Sequence, residues 1–373
     1  MKTLVLKVDS QKPDIDKIRV AAGLIRRGGL VAFPTETVYG LGADALNVEA
    51  VLALFEAKKR PLDNPPIVHV GNIKDAYRLT KRVPPKAETL MEAFWPGPLT
   101  LIFQRSQTVP DVTVAGLDTI AIRIPNHNVA LTLIRESNCP IAAPSANLAG
   151  KPSPTTAKHV LDDLSGRIDA VLDAGPTRIG VESTVLDLTV DPPQILRPGG
   201  LSYEALKKIF GKIELHPIVV AEEVVPVEKV RSPGLKHKHY APDAEVIVVE
   251  GEVSAIVDKV RELAEYYERK GCRIGVLATD ETASYYKVDV VKSLGSRSDL
   301  PGIARNLFRL LREFDVEEVD IIVAEGVPAE GLGLAVMNRL RKASGYRIVK
   351  TNSCWKIDEE LRRFLRKSQE LVR

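Results

Sequence analysis

The chain has 373 residues, enough for two domains with ample cores, and its 52 Lys and Arg nearly balance its 49 Asp and Glu, for a net charge of +3. That mixed surface, with 5% aromatic residues, excludes a dedicated nucleic-acid binder, and no apolar run reaches the length of a membrane span. Cys139, Cys272 and Cys354 are odd in number, far apart and without metal-ligand spacing, which points to a reduced, cytoplasmic setting; residues 1–10 are too short and too charged for a signal peptide.

In chain order, residues 2–8 read as a strand and 14–27 as a helix closed by Gly28-Gly29. A short apolar run, Leu30, Val31 and Ala32, enters a turn-rich polar loop at 33–42 that holds Thr35, Thr37 and Tyr39. Residues 48–59 carry Val51, Leu54, Phe55 and Lys58 at helical spacing, with Asn47 suited to the N-cap and Pro61 to the stop. Residues 67–70 read as a buried strand carrying His69. Residues 72–94 predict surface-exposed helix with a break at Pro84-Pro85, and Trp95-Pro-Gly-Pro is a rigid turn before a strand at 99–103. Residues 119–125 alternate as a half-buried strand, placing Thr119, Ala121 and Arg123 on one face. A helix at 129–136 and an apolar strand entering a Ser/Asn/Gly/Pro loop at 141–154 come next. Then follow a helix at 155–164, strands at 170–174, 183–188 and 194–196, and a helix at 202–210. Strands and helices do not alternate regularly, so this half predicts an α/β domain on a mixed twisted sheet.

Residues 211–243 read as a linker punctuated by Pro217, Pro226, Pro233 and Pro242. Its RSPGLKHKHYAP stretch at 231–242 is too rich in cations, histidine and tyrosine for a passive spacer. Residues 244–350 then alternate as a smaller Rossmann-like α/β domain: strand 245–249, helix 253–270, strands 273–278 and 289–293, helix 301–314, strand 320–324 and helix 334–343. A charged tail closes the chain at 351–373, helical from 357. Scarce Gln and Met beside abundant Glu, Lys and Arg hint at a thermophilic source.

The chemistry concentrates in a few places. Lys58-Lys59-Arg60 ends a helix, where cations offset the helix dipole by about 0.3–1 kcal/mol. The rigid exit at Pro61, the upstream hydroxyls and His69 favour a second reading, the holding of an anion. Pro144-Ser145-Ala146-Asn147 with Lys151 and Ser153 offers hydroxyl, amide and ammonium donors close together, suited to a phosphate or ribose, though Ser and Asn also suit a simple turn. Arg123 between apolar neighbours needs an anionic partner, either a structural carboxylate or a ligand. Glu182-Ser183-Thr184 and Arg197-Pro198-Gly199 repeat the theme at strand edges. Gly331-Leu-Gly333 opens a helix after a strand but lacks the third glycine of a dinucleotide fingerprint, so a tight helix start is the better reading. His69 reads by itself as a hydrogen-bonded core histidine. Neither a Ser/His/Asp order nor a paired-carboxylate motif stands out.

FPTETVYGLGADA at 33–45, the Lys58–Arg60 step, PSAN at 144–147 and ESTV at 182–185 resemble the YrdC-like family. SPGLKHKHYAP at 232–242 resembles the linker of its two-domain branch, the Sua-type threonylcarbamoyl-AMP synthases; the C-terminal half matches in its α/β pattern alone. The resemblance implies a nucleotidyltransferase that makes threonylcarbamoyl-adenylate from L-threonine, bicarbonate and ATP. The product would pass to a tRNA threonylcarbamoyl-transferase complex for modification of the adenosine beside the anticodon. It implies that Thr35, His69, Arg123, Ala143 (backbone) and Ser183 hold threonine and its carbamate. Lys58, Arg60, Thr119, Ser145, Asn147, Ser153, Arg197, Arg231 and Tyr240 would hold ATP, with the linker folding over the site. No covalent nucleophile, organic cofactor or protein-held metal is implied, and magnesium would enter with ATP. His237 departs from the expected tyrosine. Two rivals stand beside this reading: an RNA-binding module of the YrdC-like class, and a carbamoyl-adenylate enzyme of hydrogenase maturation, whose extra zinc-finger cysteines are missing here.

Overall fold

A computed structural model of the chain describes residues 2–223 and 239–351. The expected roles of Arg231, Pro233 and His237, and of the tail from 352 onward, lie outside the described residues.

The first half contains β1 (Leu4–Lys7), α1 (Ile15–Arg26), β2 (Val31–Phe33), β3 (Gly40–Asp44), α2 (Val48–Lys58), β4 (Val68–His69), α3 (Ile73–Leu79), α4 (Pro85–Phe94), β5 (Leu99–Gln104), β6 (Thr119–Arg123), α5 (Asn128–Ser137), β7 (Ile141–Ala142), α6 (Ala157–Leu164), β8 (Ala170–Asp173), β9 (Thr184–Asp187), β10 (Gln194–Arg197), α7 (Tyr203–Phe210), β11 (Glu214–Leu215) and α8 (Pro217–Val220). Its eleven strands form one mixed sheet in the order β1-β8-β2-β3-β7-β4-β6-β5-β9-β10-β11.

Local chemistry sets the ends of these elements. Asp14 caps α1 by accepting from the amides of Asp16 and Lys17, and Asn47 caps α2 through Ala50 at 3.1 Å. Lys59, with φ of 52°, ends α2 in the left-handed region. Strand register then assembles the site. β4 runs parallel to β6, setting His69 opposite Arg123, and antiparallel to β7, setting His69 opposite Ile141. The β2–β3 hairpin brings the 34–39 turn to the same edge.

The second half contains β12 (Glu245–Glu250), α9 (Val253–Glu268), β13 (Ile274–Ala278), β14 (Val290–Ser293), α10 (Leu300–Val316), β15 (Ile321–Glu325), α11 (Gly333–Ala343) and β16 (Ile348–Lys350). Its sheet is parallel throughout, in the order β14-β13-β15-β12-β16. Alternation sorts its side chains. Ile247 and Val249 pack with Ile256, Val260 and Leu263 of α9, whereas Val246 and Val248 pack with Leu307, Phe308 and Leu311 of α10. Gly333 begins α11, as the tight-start reading of Gly331-Leu-Gly333 expects.

Three expectations are corrected. Residues 40–44 form a strand, not the end of a loop. α3 and α4 bury Ala76, Leu79, Leu90 and Met91, so they are not simple surface helices. The stretch expected to link the halves from residue 211 holds β11 and α8, and Ile213, Ile218 and Val219 join the core of the first half.

The two halves meet closely. Val38 and Val181 belong to the same apolar cluster as Phe308 and Leu340. Gly180, at φ 86°, lies so near α10 that a Cβ there would stand 2.4 Å from the Arg305 Cα. Arg312 pairs with Asp163 at 2.8 Å and donates to the Pro152 carbonyl at 2.6 Å. Among the described residues, no helix is long and apolar enough to cross a membrane.

Candidate active site

A cleft opens where the 34–39 turn, β4, β6, the 143–153 loop, Glu182-Ser183, Arg197 and Tyr240 converge. Among the described residues, four cationic side chains line it, Arg60, Arg123, Lys151 and Arg197, against the single lining carboxylate of Glu182. The balance suits an anionic ligand.

On the β6 side, Arg123 is locked from three directions. Its Nε donates to the Gly97 carbonyl at 3.1 Å, Nη1 to Thr37 Oγ1 at 3.0 Å, and Nη2 faces Glu36 at 2.7 Å. Thr35 Oγ1 donates to the Val38 carbonyl at 2.6 Å and lies 2.8 Å from Thr37 Oγ1. His69 Nδ1 is 3.3 Å from the Ile67 carbonyl. Burial, and next the charge of Arg123, push the imidazole down to about 3, so it is neutral at physiological pH. The amide of Ala143 is committed to the Ile67 carbonyl at 2.8 Å.

On the opposite side, Arg197 donates through Nε and Nη2 to the Ser183 carbonyl at 3.1 and 3.0 Å, and Ser183 Oγ lies 2.7 Å from Thr100 Oγ1. Arg60 is held by the Asn64 carbonyl at 2.9 Å and Asn64 Oδ1 at 2.7 Å, and burial brings its guanidinium down to about 10. Asn147 donates to the carbonyls of Leu148 and Lys151, while its buried Oδ1 has no hydrogen-bond partner among the described residues. Ser153 donates to Glu182 Oε1 at 2.6 Å. Burial would raise the Glu182 carboxyl, but Arg339 and then Arg197 outweigh it and hold it at about 2.

The structure therefore gathers Thr35, Arg60, His69, Arg123, Ala143, Ser145, Asn147, Ser153, Ser183, Arg197 and Tyr240 around one cleft. Two expected residues are placed elsewhere. Lys58 is buried behind the wall, its ammonium donating to the carbonyls of Ser145 and Asn147, so it holds the loop from the rear. Thr119 stands at the far end of β6 opposite Gln104, about 13 Å along the strand from Arg123 at ordinary strand rise. Thr37, Val38, Gly40, Ile67, Pro144 and His239 also line the cleft without having been singled out for it. The hydroxyls of the 34–39 turn were a signal for Thr37; nothing in the sequence marks Val38 or Ile67.

Residues 23–199 match the family described as telomere recombination, and residues 201–345 match the one described as threonylcarbamoyl-AMP synthase, C-terminal domain. The chain is 54% identical over 334 residues to a threonylcarbamoyl-AMP synthase of Pyrococcus abyssi, covering 90% of this chain and 96% of that one. It is 50% identical over 336 residues to a Bacillus subtilis protein of the same name, covering 90% and 94%. A crystal structure of P. abyssi Sua5 complexed with L-threonine superposes with a TM-score of 0.89 at 52% identity, covering 93% of this chain and 99% of that one. With both sheets, the cleft of the first half and two family matches that together span residues 23–345, the chain belongs to the two-domain threonylcarbamoyl-AMP synthases.

Proposed function

We infer that this chain is a nucleotidyltransferase that makes L-threonylcarbamoyladenylate and pyrophosphate from L-threonine, bicarbonate and ATP, for the threonylcarbamoyl-adenosine modification of tRNA beside the anticodon. The observation that carries the reading is the convergence of Arg60, Arg123 and Arg197, from three separate elements, on one cleft rich in hydroxyls.

The chemistry needs no enzyme nucleophile. The threonine amine and bicarbonate give a carbamate and water. A carbamate oxygen then attacks the α-phosphorus of ATP, the bond from that phosphorus to the bridging oxygen breaks, and pyrophosphate leaves. Positioning and charge stabilisation supply the rate. In this reading Thr35, His69, Arg123, the Ala143 carbonyl and Ser183 hold threonine and the carbamate. The immobilised Arg123 guanidinium supports that assignment, because its orientation costs nothing at the moment of reaction. A neutral His69 contributes a hydrogen bond and no repulsion of the amine. Arg60, Ser145, Asn147, Ser153, Arg197 and Tyr240 take ATP. Lys58 serves the nucleotide through the backbone of the 145–147 loop.

Among the described residues, no group of three or more His, Cys, Asp or Glu side chains is placed to hold a metal, and Glu182 and Glu36 are each engaged by an arginine. Magnesium is proposed to come in on the ATP phosphates, where it would ease departure of pyrophosphate. The proposed location is the cytoplasm, supported by the unpaired Cys139 and Cys272. The consumer of the product is proposed to be a tRNA threonylcarbamoyl-transferase complex.

The test is pyrophosphate release by the purified full chain. It is expected only when ATP, L-threonine, bicarbonate and magnesium are all present, with threonylcarbamoyl-AMP detected by mass spectrometry. Equal release without threonine overturns the reading.

A further inference from the structure

Arg339 is the largest fully buried side chain among the described residues, and it belongs to α11 of the second half. Its Nε donates to Glu182 Oε2 at 2.8 Å, Nη2 to the Pro198 carbonyl at 3.0 Å and Nη1 to Asn338 Oδ1 at 2.9 Å. Its guanidinium carbon stands 5.1 Å from the centre of the Tyr240 ring, which also stacks on Phe308 at 5.4 Å and lies 5.6 Å from the His239 ring. One side chain thus touches the cleft carboxylate, the turn that follows Arg197, and the ring that lines the cleft from residue 240.

Glu182 lies where the nucleotide is placed, beside Ser153 and Arg197. A carboxylate there repels phosphate unless its charge is neutralised. Arg197 is already turned to the Ser183 carbonyl, and Ser153 supplies a hydrogen bond but no charge. The countercharge that meets Glu182 at ion-pair distance comes from the other half of the chain.

We propose that Arg339 is a positioning residue for the nucleotide side of the cleft. By pairing with Glu182 it cancels a carboxylate charge inside an anion site, and it fixes Ser153, the 197–199 turn and the Tyr240 ring. The inference rests on the reading that this cleft takes ATP. It gives the second half a chemical part in the site.

The test is calorimetric titration of ATP, and separately of L-threonine, into the full-length wild type, Arg339→Met, Glu182→Gln and the double variant. Arg339→Met is expected to weaken ATP binding by at least about tenfold near pH 8 while threonine binding moves by less than about twofold. The defect should shrink near pH 6, because a Glu182 left with Arg197, Lys342 and Tyr240 as its charged or titratable neighbours loses its main countercharge and takes up a proton more readily. The double variant should recover to within about threefold of wild type, since a neutral amide still accepts from Ser153. If Arg339→Met does not fold by circular dichroism, Arg339→Lys carries the test. Lysine keeps the charge but cannot span Glu182 and Pro198, so ATP binding should weaken several-fold with no recovery at low pH. Folded variants that bind ATP like wild type overturn the proposal. So does an equal loss of both ligands without rescue. A wild type that binds ATP yet releases no threonine-dependent pyrophosphate overturns the functional reading and leaves this one to be judged on affinity.

Discussion

Arg123 and Glu36 face each other at 2.7 Å, with side chains only 4% and 1% exposed. A buried pair of this kind adds little net stability, but losing one member strands the other charge. Arg123→Met is therefore expected to destabilise the chain by about 3–5 kcal/mol, and Glu36→Gln/Arg123→Met to recover at least about 2 kcal/mol of that. Urea unfolding followed by circular dichroism measures both. A double variant no more stable than the single one would mean that Arg123 packs without depending on its carboxylate.

Lys58 separates two roles that the sequence leaves open. An exposed cation at a helix end would leave the melting temperature nearly unchanged on removal. The observed ammonium is buried and serves two backbone carbonyls. Lys58→Ala should cost about 1–3 kcal/mol of stability for the stranded acceptors and lower kcat/KM by at least about tenfold as the 145–147 loop drifts. Calorimetric melting and a pyrophosphate assay on the same preparation check both halves of that statement.

His69 gives stability a pH dependence of known sign. Its folded-state value of about 3 lies below the ordinary 6.5, through burial and then the nearby Arg123 charge. Between those values the unfolded chain takes up a proton that the folded chain does not. This contribution is therefore complete above about pH 6.5 and falls by up to about 1.4 kcal/mol per pH unit below it. His69→Gln should flatten the acid limb of a stability-against-pH curve. An unchanged slope between about pH 6 and pH 4 would show that the imidazole is protonated in place.

Thr119 lies away from the cleft, at the Gln104 end of β6. Thr119→Ala should leave ATP affinity within about twofold of wild type, whereas Ser153→Ala should weaken it by about three- to tenfold. Parallel titrations decide. An equal loss in both would place the nucleotide further along β6 than the cleft geometry supports.

The sequence made the two α/β halves and most of the cleft legible, because element-end motifs keep their chemistry wherever the chain carries them. Period two put Thr119 on the same face as Arg123, yet periodicity carries no information about how far along a strand a ligand reaches. The Lys58 step named the correct helix end, but the loop that folds over it comes from residues 145–147, distant in sequence. β3 was hidden by its glycines, which usually mark turns. Here glycine is required by close packing, since a Cβ at Gly42 would sit 2.8 Å from Ile141 Cγ2 and 2.9 Å from Phe33 Cε1. Arg339 had no local signature at all: an arginine in a basic helix acquires its partner only when two separately patterned halves dock.

The contact at Gly180 works as a spacer gauge. With backbone atoms of Ala304 and Arg305 only 2.4–2.8 Å from where a Cβ would stand, and φ at 86°, bulk added there must displace either α10 or the backbone at residue 180. α10 carries Phe308, and Phe308 bears on the ring of Tyr240. The size of residue 180 thus bears on the seating of Tyr240, which lines the cleft. Graded substitution there, from glycine through alanine to larger side chains, would make the distance between the halves an adjustable dial without altering any group that meets a ligand.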